Sequence, residues 1–191
     1  SEKVRNDIWK QIKGNQLTGK TFGIIGCGNI GQDLVRLLEP FSCNILCHDI
    51  KNYSEFFKKY NVKRLPLEDV LKKADIVSLH LPYNNDTHKI MNKEKITCMK
   101  KGAFLMNFAR GGLVDETYLQ KALVNGSLSG FALDVLEQEP PKNFKIASLP
   151  NVIVTPHIGG STEEGILAMG LAAIDGIENA KDPLEYLEKT V

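Results

Sequence analysis

From Thr21 onward, short apolar runs alternate with stretches whose apolar residues recur at helical spacing. Thr21–Ile25 is a strand-like run ending in a glycine cluster. Asn29–Glu39 follows with Ile30, Leu34 and Leu37/Leu38 at helical intervals. Asn44–Asp49 predicts a second strand, and Leu67–Lys73 a helix leading into a third strand at Asp75–Leu79. The alternation continues with a helix over Lys93–Met99, a strand at Ala103–Asn107 and a helix over Glu116–Val124 closed by Asn125-Gly126. Phe131–Asp134 predicts another strand, followed by a loop holding Pro140-Pro141, and Val152–Thr155 the last one. Ser161-Thr162-Glu163-Glu164 fits a capping box that opens a final helix to about Ala180. Ahead of all this, residues 1–20 read as a polar lead-in and linker, with a short helix over Arg5–Ile12 that places Ile8, Trp9 and Ile12 on one face. Strands that keep alternating with helices imply right-handed βαβ crossovers. The predicted class is therefore α/β, a doubly wound parallel sheet with helices on both faces.

Composition narrows the class of partner. The 191 residues are 42% hydrophobic and 25% charged, which suits a globular chain. With 24 Lys+Arg against 23 Asp+Glu the formal net charge is +1, so no strong field recruits nucleic acid or an anionic membrane surface. No apolar run approaches the roughly 18–20 residues that span a bilayer, and Ser1–Lys10, polar and mixed in charge, does not read as a signal peptide. Cys27, Cys43, Cys47 and Cys98 form no CxxC pair and no Cys/His ligand spacing. Cys43 and Cys47 are four apart where the chain reads as strand, so that spacing does not bring their side chains together as it would on a helix. The expectation is a reduced, cytoplasmic protein without a metal site.

Gly26-Cys27-Gly28-Asn29-Ile30-Gly31 is a GxGxxG placed between a strand and a helix. Three glycines in six residues also occur at ordinary turns with no nucleotide. The context strengthens the functional reading, because Asp49 closes the second strand 18 residues after Gly31. Gly26 permits the tight turn, Gly28 lets the backbone approach a pyrophosphate, and Gly31 allows helix to pack closely on strand. Backbone N–H groups at Asn29 and Ile30, at the positive end of the helix dipole, would hold the diphosphate. The Asp49 carboxylate can accept from both adenosine ribose hydroxyls and would repel a 2′-phosphate. This favours NAD over NADP, although Lys51 nearby weakens the exclusion. The fold expected is Rossmann-type.

Hydride transfer to or from a nicotinamide also needs a proton-exchanging group and a cation to hold the substrate. In open α/β sheets such groups lie past the carboxyl ends of strands. Arg110 follows the strand ending at Asn107, Glu139 lies past the one ending at Asp134, and His157 follows the one ending at Thr155. Histidine suits acid/base work near neutrality because its reference pKa is about 6.5. A carboxylate such as Glu139 would fix its tautomer, and Arg110 offers a planar fork matched to a carboxylate, followed by two glycines. Each also has a plain reading. His157 can be a packing residue after a strand, Arg110 a surface ion-pair residue and Glu139 a solvated loop acid. Spacing does not link the three in space.

The motifs taken together resemble the cofactor-binding domain of the D-isomer-specific 2-hydroxyacid dehydrogenases. The resemblance runs from about Leu17 to Asp182. It is carried by Leu17-Thr18-Gly19-Lys20-Thr21-Phe22-Gly23-Ile24-Ile25-Gly26 with the glycine motif, Ala74-Asp75-Ile76-Val77-Ser78-Leu79-His80-Leu81-Pro82, Asn107-Phe108-Ala109-Arg110-Gly111-Gly112-Leu113-Val114-Asp115, Ala132-Leu133-Asp134-Val135, and Thr155-Pro156-His157-Ile158-Gly159-Gly160. The resemblance implies that Arg110 binds the substrate's carboxylate and keto oxygen, that His157 donates the proton in reduction, and that Glu139 orients His157. It implies that Pro82 and Thr87 line the adenine side. Phe108, Ala109, Asp134 and Gly160 would lie near the nicotinamide, with Asp134 contacting its carboxamide, and Arg110, His157 and Gly159 would also touch the cofactor. Phe108 stands where many members carry a small residue, and Leu136 where Phe is usual.

The resemblance further implies a small 2-keto or 2-hydroxy acid substrate, a homodimer formed through the cofactor domain, and residues 21–182 as that domain with 183–191 beginning a C-terminal segment. The family's substrate domain is largely missing from this chain, so NAD binding with slow turnover is expected. His157-Ile158-Gly159-Gly160-Ser161-Thr162 is closest to the phosphoglycerate dehydrogenases. A second reading is an NAD(H)-sensing interaction protein like the corepressors that share this fold, which look alike at Arg110, Glu139 and His157.

Overall fold

The computed structural model describes residues 13–180 together with Trp9 and Gln11. The chain enters the core at β1 (Thr21–Ile25), four of whose five residues are buried. Burial on both faces is the mark of a central parallel strand. Its neighbours are β2 (Asn44–His48), reached through α1 (Asn29–Leu38), and β4 (Ile76–Leu79). From β2 the chain passes through α2 (Ser54–Lys59) to the short edge strand β3 (Lys63–Arg64), then through α3 (Leu67–Lys73) to β4. It continues outward through α4 (Lys93–Cys98), β5 (Ala103–Asn107), α5 (Glu116–Val124), β6 (Leu128–Leu133) and β7 (Val152–Val154) to α6 (Glu163–Glu178). The seven-stranded sheet runs β3-β2-β1-β4-β5-β6-β7, and every pairing is parallel.

This order reverses direction between β1 and β4, which opens a crevice at their carboxyl ends. Steps toward β3 lay α1 and α2 on one face, and steps toward β7 lay α3, α4 and α5 on the other, as right-handed crossovers require. The core is split accordingly. Phe22, Ile24, Ile45 and Cys47 pack with Val35, Leu38 and Phe57. Ile25, Val77, Leu79, Leu105, Phe131 and Leu133 pack with Leu71, Ile96 and Leu119. On the α1 face the covering thins beyond β4, where Met106 of β5 is the last residue to pack against that core. Phe104 of β5 is 46% exposed and Ile153 of β7 71%. Helix α6 has no buried residue, although Ile166, Leu167, Met169, Leu171, Ile174 and Ile177 lie on it.

Several sequence expectations need adjustment. The predicted lead-in helix over Arg5–Ile12 lies outside the described residues save Trp9, which is exposed, and Gln11. Helix α2 and strand β3 escaped the reading because Ser54–Lys59 is only six residues with Phe56 and Phe57 adjacent, too short to show a period. Strand β6 begins at Leu128 rather than Phe131, since Ser129 and Gly130 break the apolar run. The expected capping box does not form. Thr162 is the N-cap and its Oγ1 accepts the Gly165 N–H, so the position that must carry the returning Glu is a glycine. All four cysteines are free. Among the described residues no helix is long and apolar enough to cross a membrane, and no group of three His, Cys, Asp or Glu side chains could hold a metal ion.

Candidate active site

The crevice floor is the glycine loop. Gly26 has φ +94°, a backbone region open to glycine, and a Cβ there would fall 2.6 Å from the His80 carbonyl oxygen. A Cβ on Gly31 would fall 2.2 Å from the Gly26 carbonyl oxygen, so the helix sits directly against the turn. Gly28, between them, faces open space. The first intrahelical bond of α1 is Gln32 N–H to the Gly28 carbonyl, which leaves the N–H groups of Asn29, Ile30 and Gly31 without partners inside the helix. Asp49 lies one residue past β2. Its Oδ2 accepts the Cys27 N–H at 2.6 Å and its Oδ1 the Lys51 N–H at 2.7 Å. Those bonds fix the carboxylate beside the glycine loop and leave lone pairs on each oxygen for hydroxyl donors. Open space at Gly28, free N–H groups and a fixed carboxylate fit the diphosphate and ribose of a dinucleotide.

At the carboxyl ends of β5, β6 and β7 the three residues that spacing could not connect meet. Arg110, Glu139 and His157 line one cavity of about 310 Å³ with Tyr83, Gly111, Gly112 and Leu136. His157 Nδ1 lies 2.7 Å from Glu139 Oε2. An ionised carboxylate only accepts, so Nδ1 carries the proton and Nε2 is the nitrogen left for chemistry. The other oxygen of Glu139 accepts the Leu136 N–H at 2.9 Å. The hydrogen bond from His157 holds the Glu139 carboxyl below its usual range, against the opposing effect of burial.

Asp134, expected beside the nicotinamide carboxamide, also braces the turn that carries the histidine. Its carboxylate, 5% exposed, is engaged by the turn that carries the histidine. Oδ1 accepts from Thr155 Oγ1 and the Ile158 N–H, and Oδ2 from the Gly159 N–H at 2.7 Å. Burial would raise this carboxyl, but the three donors outweigh it and leave it low. His157 itself has φ +54°, a left-handed conformation that costs a non-glycine residue energy and persists only where neighbours impose it. Asp134 accepts from residues on both sides of it and so braces the turn.

Of the other predicted residues, Thr87 donates its hydroxyl to the Pro82 carbonyl at 2.7 Å and so closes the 82–87 loop. Phe108 is 43% exposed on the crevice rim, and Ala109 donates its N–H to Asn107 Oδ1. Arg110 Nη1 donates to the Ala109 carbonyl at 2.7 Å. A Cβ added to Gly160 meets nothing within 4 Å, so this position faces open space. Sequence reasoning missed Asn107, Thr155 and Tyr83. Asn107, 1% exposed, donates Nδ2 to the Arg110 carbonyl and shapes that loop. A polar residue closing an otherwise apolar strand was the available signal for Asn107 and Thr155; nothing marked Tyr83.

A strand-order reversal over a glycine loop and a fixed acidic residue past β2 defines a Rossmann-type dinucleotide-binding domain. Residues 1–159 match the family described as "D-isomer specific 2-hydroxyacid dehydrogenase, NAD binding domain". The chain belongs to that family, and the domain it carries is the NAD-binding one. It is 42% identical over 170 residues to D-3-phosphoglycerate dehydrogenase of Methanocaldococcus jannaschii, covering 88% of this chain and 32% of that protein. Among solved structures, a glyoxylate reductase from Paecilomyes thermophila superposes with a TM-score of 0.87 at 32% identity, covering 94% of this chain and 55% of the other. D-lactate dehydrogenase from Aquifex aeolicus, complexed with NAD and lactic acid, gives 0.83 at 30% identity, covering 92% and 59%. The chain spans from about a third to just over half the length of the curated relatives it matches.

Proposed function

We propose that the chain supplies the cofactor site and the proton-transfer pair of an NAD-dependent oxidoreductase that interconverts a 2-keto acid and a D-2-hydroxy acid. The observation that carries this reading is the meeting of Arg110 with the Glu139–His157 pair in one cavity at the crevice. The named activities of the similar proteins, phosphoglycerate dehydrogenation and glyoxylate reduction, concern small acids of this kind.

When bound, NADH supplies a hydride to the keto carbon. Arg110, a rigid cationic fork, binds the substrate carboxylate and steadies charge on the keto oxygen. His157 gives its Nε2 proton to that oxygen in reduction and takes it back in oxidation. Glu139 holds Nδ1–H, keeps the ring oriented and stabilises the imidazolium. The N–H groups of Asn29 and Ile30 hold the diphosphate, and Asp49 selects the unphosphorylated ribose.

The test is NADH oxidation by a short 2-keto acid, with hydroxypyruvate and glyoxylate as probes, in the wild type and in His157→Gln. The variant is expected to lose about 10²–10⁴ in kcat, the usual span for a general acid/base, at unchanged NADH affinity. Equal turnover in both proteins contradicts the assignment.

The second copy in a homodimer is the partner proposed for the apolar surface left by Phe104, Ile153 and α6. Light scattering of the purified chain should give twice the monomer mass, and a monomer at micromolar concentration refutes this part of the proposal.

A further inference from the structure

Two consecutive backbone N–H groups past β6 are each held by a different glutamate. The Leu136 N–H donates to Glu139 Oε1 at 2.9 Å, and the Glu137 N–H donates to Glu116 Oε1 at 2.7 Å. Glu116 is the first residue of α5, on the far side of the Arg110 loop. There Asp115 caps the helix by accepting the Tyr118 N–H at 3.0 Å. The same Leu136–Glu137 peptide presses on Gly111, where a Cβ would fall 1.9 Å from the Leu136 carbonyl carbon and 2.3 Å from the Glu137 nitrogen. Two consecutive peptide units joined at Leu136 are thus where the Arg110 loop, the Glu139 carboxylate and α5 meet.

We infer that Glu116 is a positioning residue for the proton-transfer pair: by accepting the Glu137 N–H it fixes the Leu136–Glu137 peptide, and through Leu136, whose own N–H Glu139 accepts, it seats Glu139 against His157. The inference rests on the proton-transfer role proposed above for those two residues. Its other tether is weaker. Glu137 pairs with Lys89 Nζ at 3.2 Å, but both side chains are more than a third exposed, and ion pairs in that setting contribute little. A carboxylate acceptor makes a bond roughly twice as strong as a neutral one, and Glu116 is partly buried where water competes less. Burial raises the Glu116 carboxyl, so the geometry keeps this acid where its environment opposes the charge. No element of the reaction touches it directly, which makes positioning its role.

The test follows the Glu139 carboxyl by NMR in the full chain labelled with ¹³C at glutamate carboxyls, its resonance identified by loss in Glu139→Gln. Glu139 is faced by His157 and by Asp134, and these remain in every variant. In Glu116→Ala the Glu139 titration midpoint is expected to rise by about 0.5 or more in pH as its bonds to His157 and Leu136 loosen. Glu116→Gln keeps a weaker, neutral acceptor oxygen in place and is expected to shift the midpoint clearly less than alanine does. Glu116→Asp, a methylene short of the Glu137 N–H, is expected to behave like alanine and decides the matter if the alanine variant does not fold. Retained NADH affinity, read by fluorescence, shows that the cofactor site is intact in each. An unchanged Glu139 midpoint in Glu116→Asp, or a glutamine variant that shifts as far as aspartate, overturns the inference. Turnover plays no part in this readout, so a His157→Gln enzyme as active as the wild type would sink the functional proposal separately.

Discussion

His157 is held in a conformation that histidine does not choose. Its φ of +54° is maintained because the following two N–H groups close on Asp134, and because Thr155, two residues earlier, donates to the same carboxylate. Asp134→Asn replaces one accepting oxygen with an amide that cannot accept. A buried N–H or hydroxyl then loses its partner, at a cost of about 1–3 kcal/mol. Denaturant unfolding should show that loss, because the carboxylate's hydrogen bonds brace the histidine turn, and unchanged stability would contradict that role. The identity of the site residues was legible in the chain: Arg110, Glu139 and His157 each follow a readable strand. Their meeting was not legible, because it depends on the order β5-β6-β7 and on a loop of 18 residues between β6 and β7. The bonds from Asp134 to the histidine turn were also hidden, since they depend on how residues 155–159 fold back over the end of β6.

At the scale of the elements, the sheet is keyed at its centre by Asp75, at the mouth of β4. Its Oδ2 accepts the Thr21 N–H at 2.9 Å, where β1 begins, and its Oδ1 accepts from Lys100 Nζ at 2.6 Å, just ahead of β5. The Lys100 bond chiefly, and the Thr21 N–H with it, holds the carboxyl below the ordinary aspartate value of 3.8. A depressed carboxyl contributes stability that is fully present above the unfolded-state pKa and is lost as pH falls through the folded-state one. Asp75→Asn should therefore be about 1 kcal/mol less stable than wild type at neutral pH, a figure held down by the half-exposed Lys100. The two stability curves should converge in acid, below pH 3.8. Curves that stay parallel down to that range would remove the charge from the account. Elements with a clear apolar pattern were readable in advance: α3 and β5 fall at the positions that their patterns give. The failures share a cause, in that α2, β3 and the start of β6 are too short or too polar to hold a period and exist because neighbours pair with them.

Across the whole molecule, one architecture explains both what is buried and what is not. The reversal between β1 and β4 makes a crevice, and the glycine loop, Asp49 and the Arg110–Glu139–His157 cavity all lie at the carboxyl edge of the sheet. The helices that build the crevice cover one face of β5–β7 and leave the other with Phe104 and Ile153 in view. Everything proposed for the reaction presupposes that the glycine loop holds a dinucleotide and that Asp49 reads its ribose. A fluorescence titration of the chain with NADH and, in parallel, NADPH tests this most directly. The account predicts saturable NADH binding and NADPH binding at least about tenfold weaker, because a 2′-phosphate would meet the Asp49 carboxylate. Equal affinity for the two, or no binding of either, would contradict it.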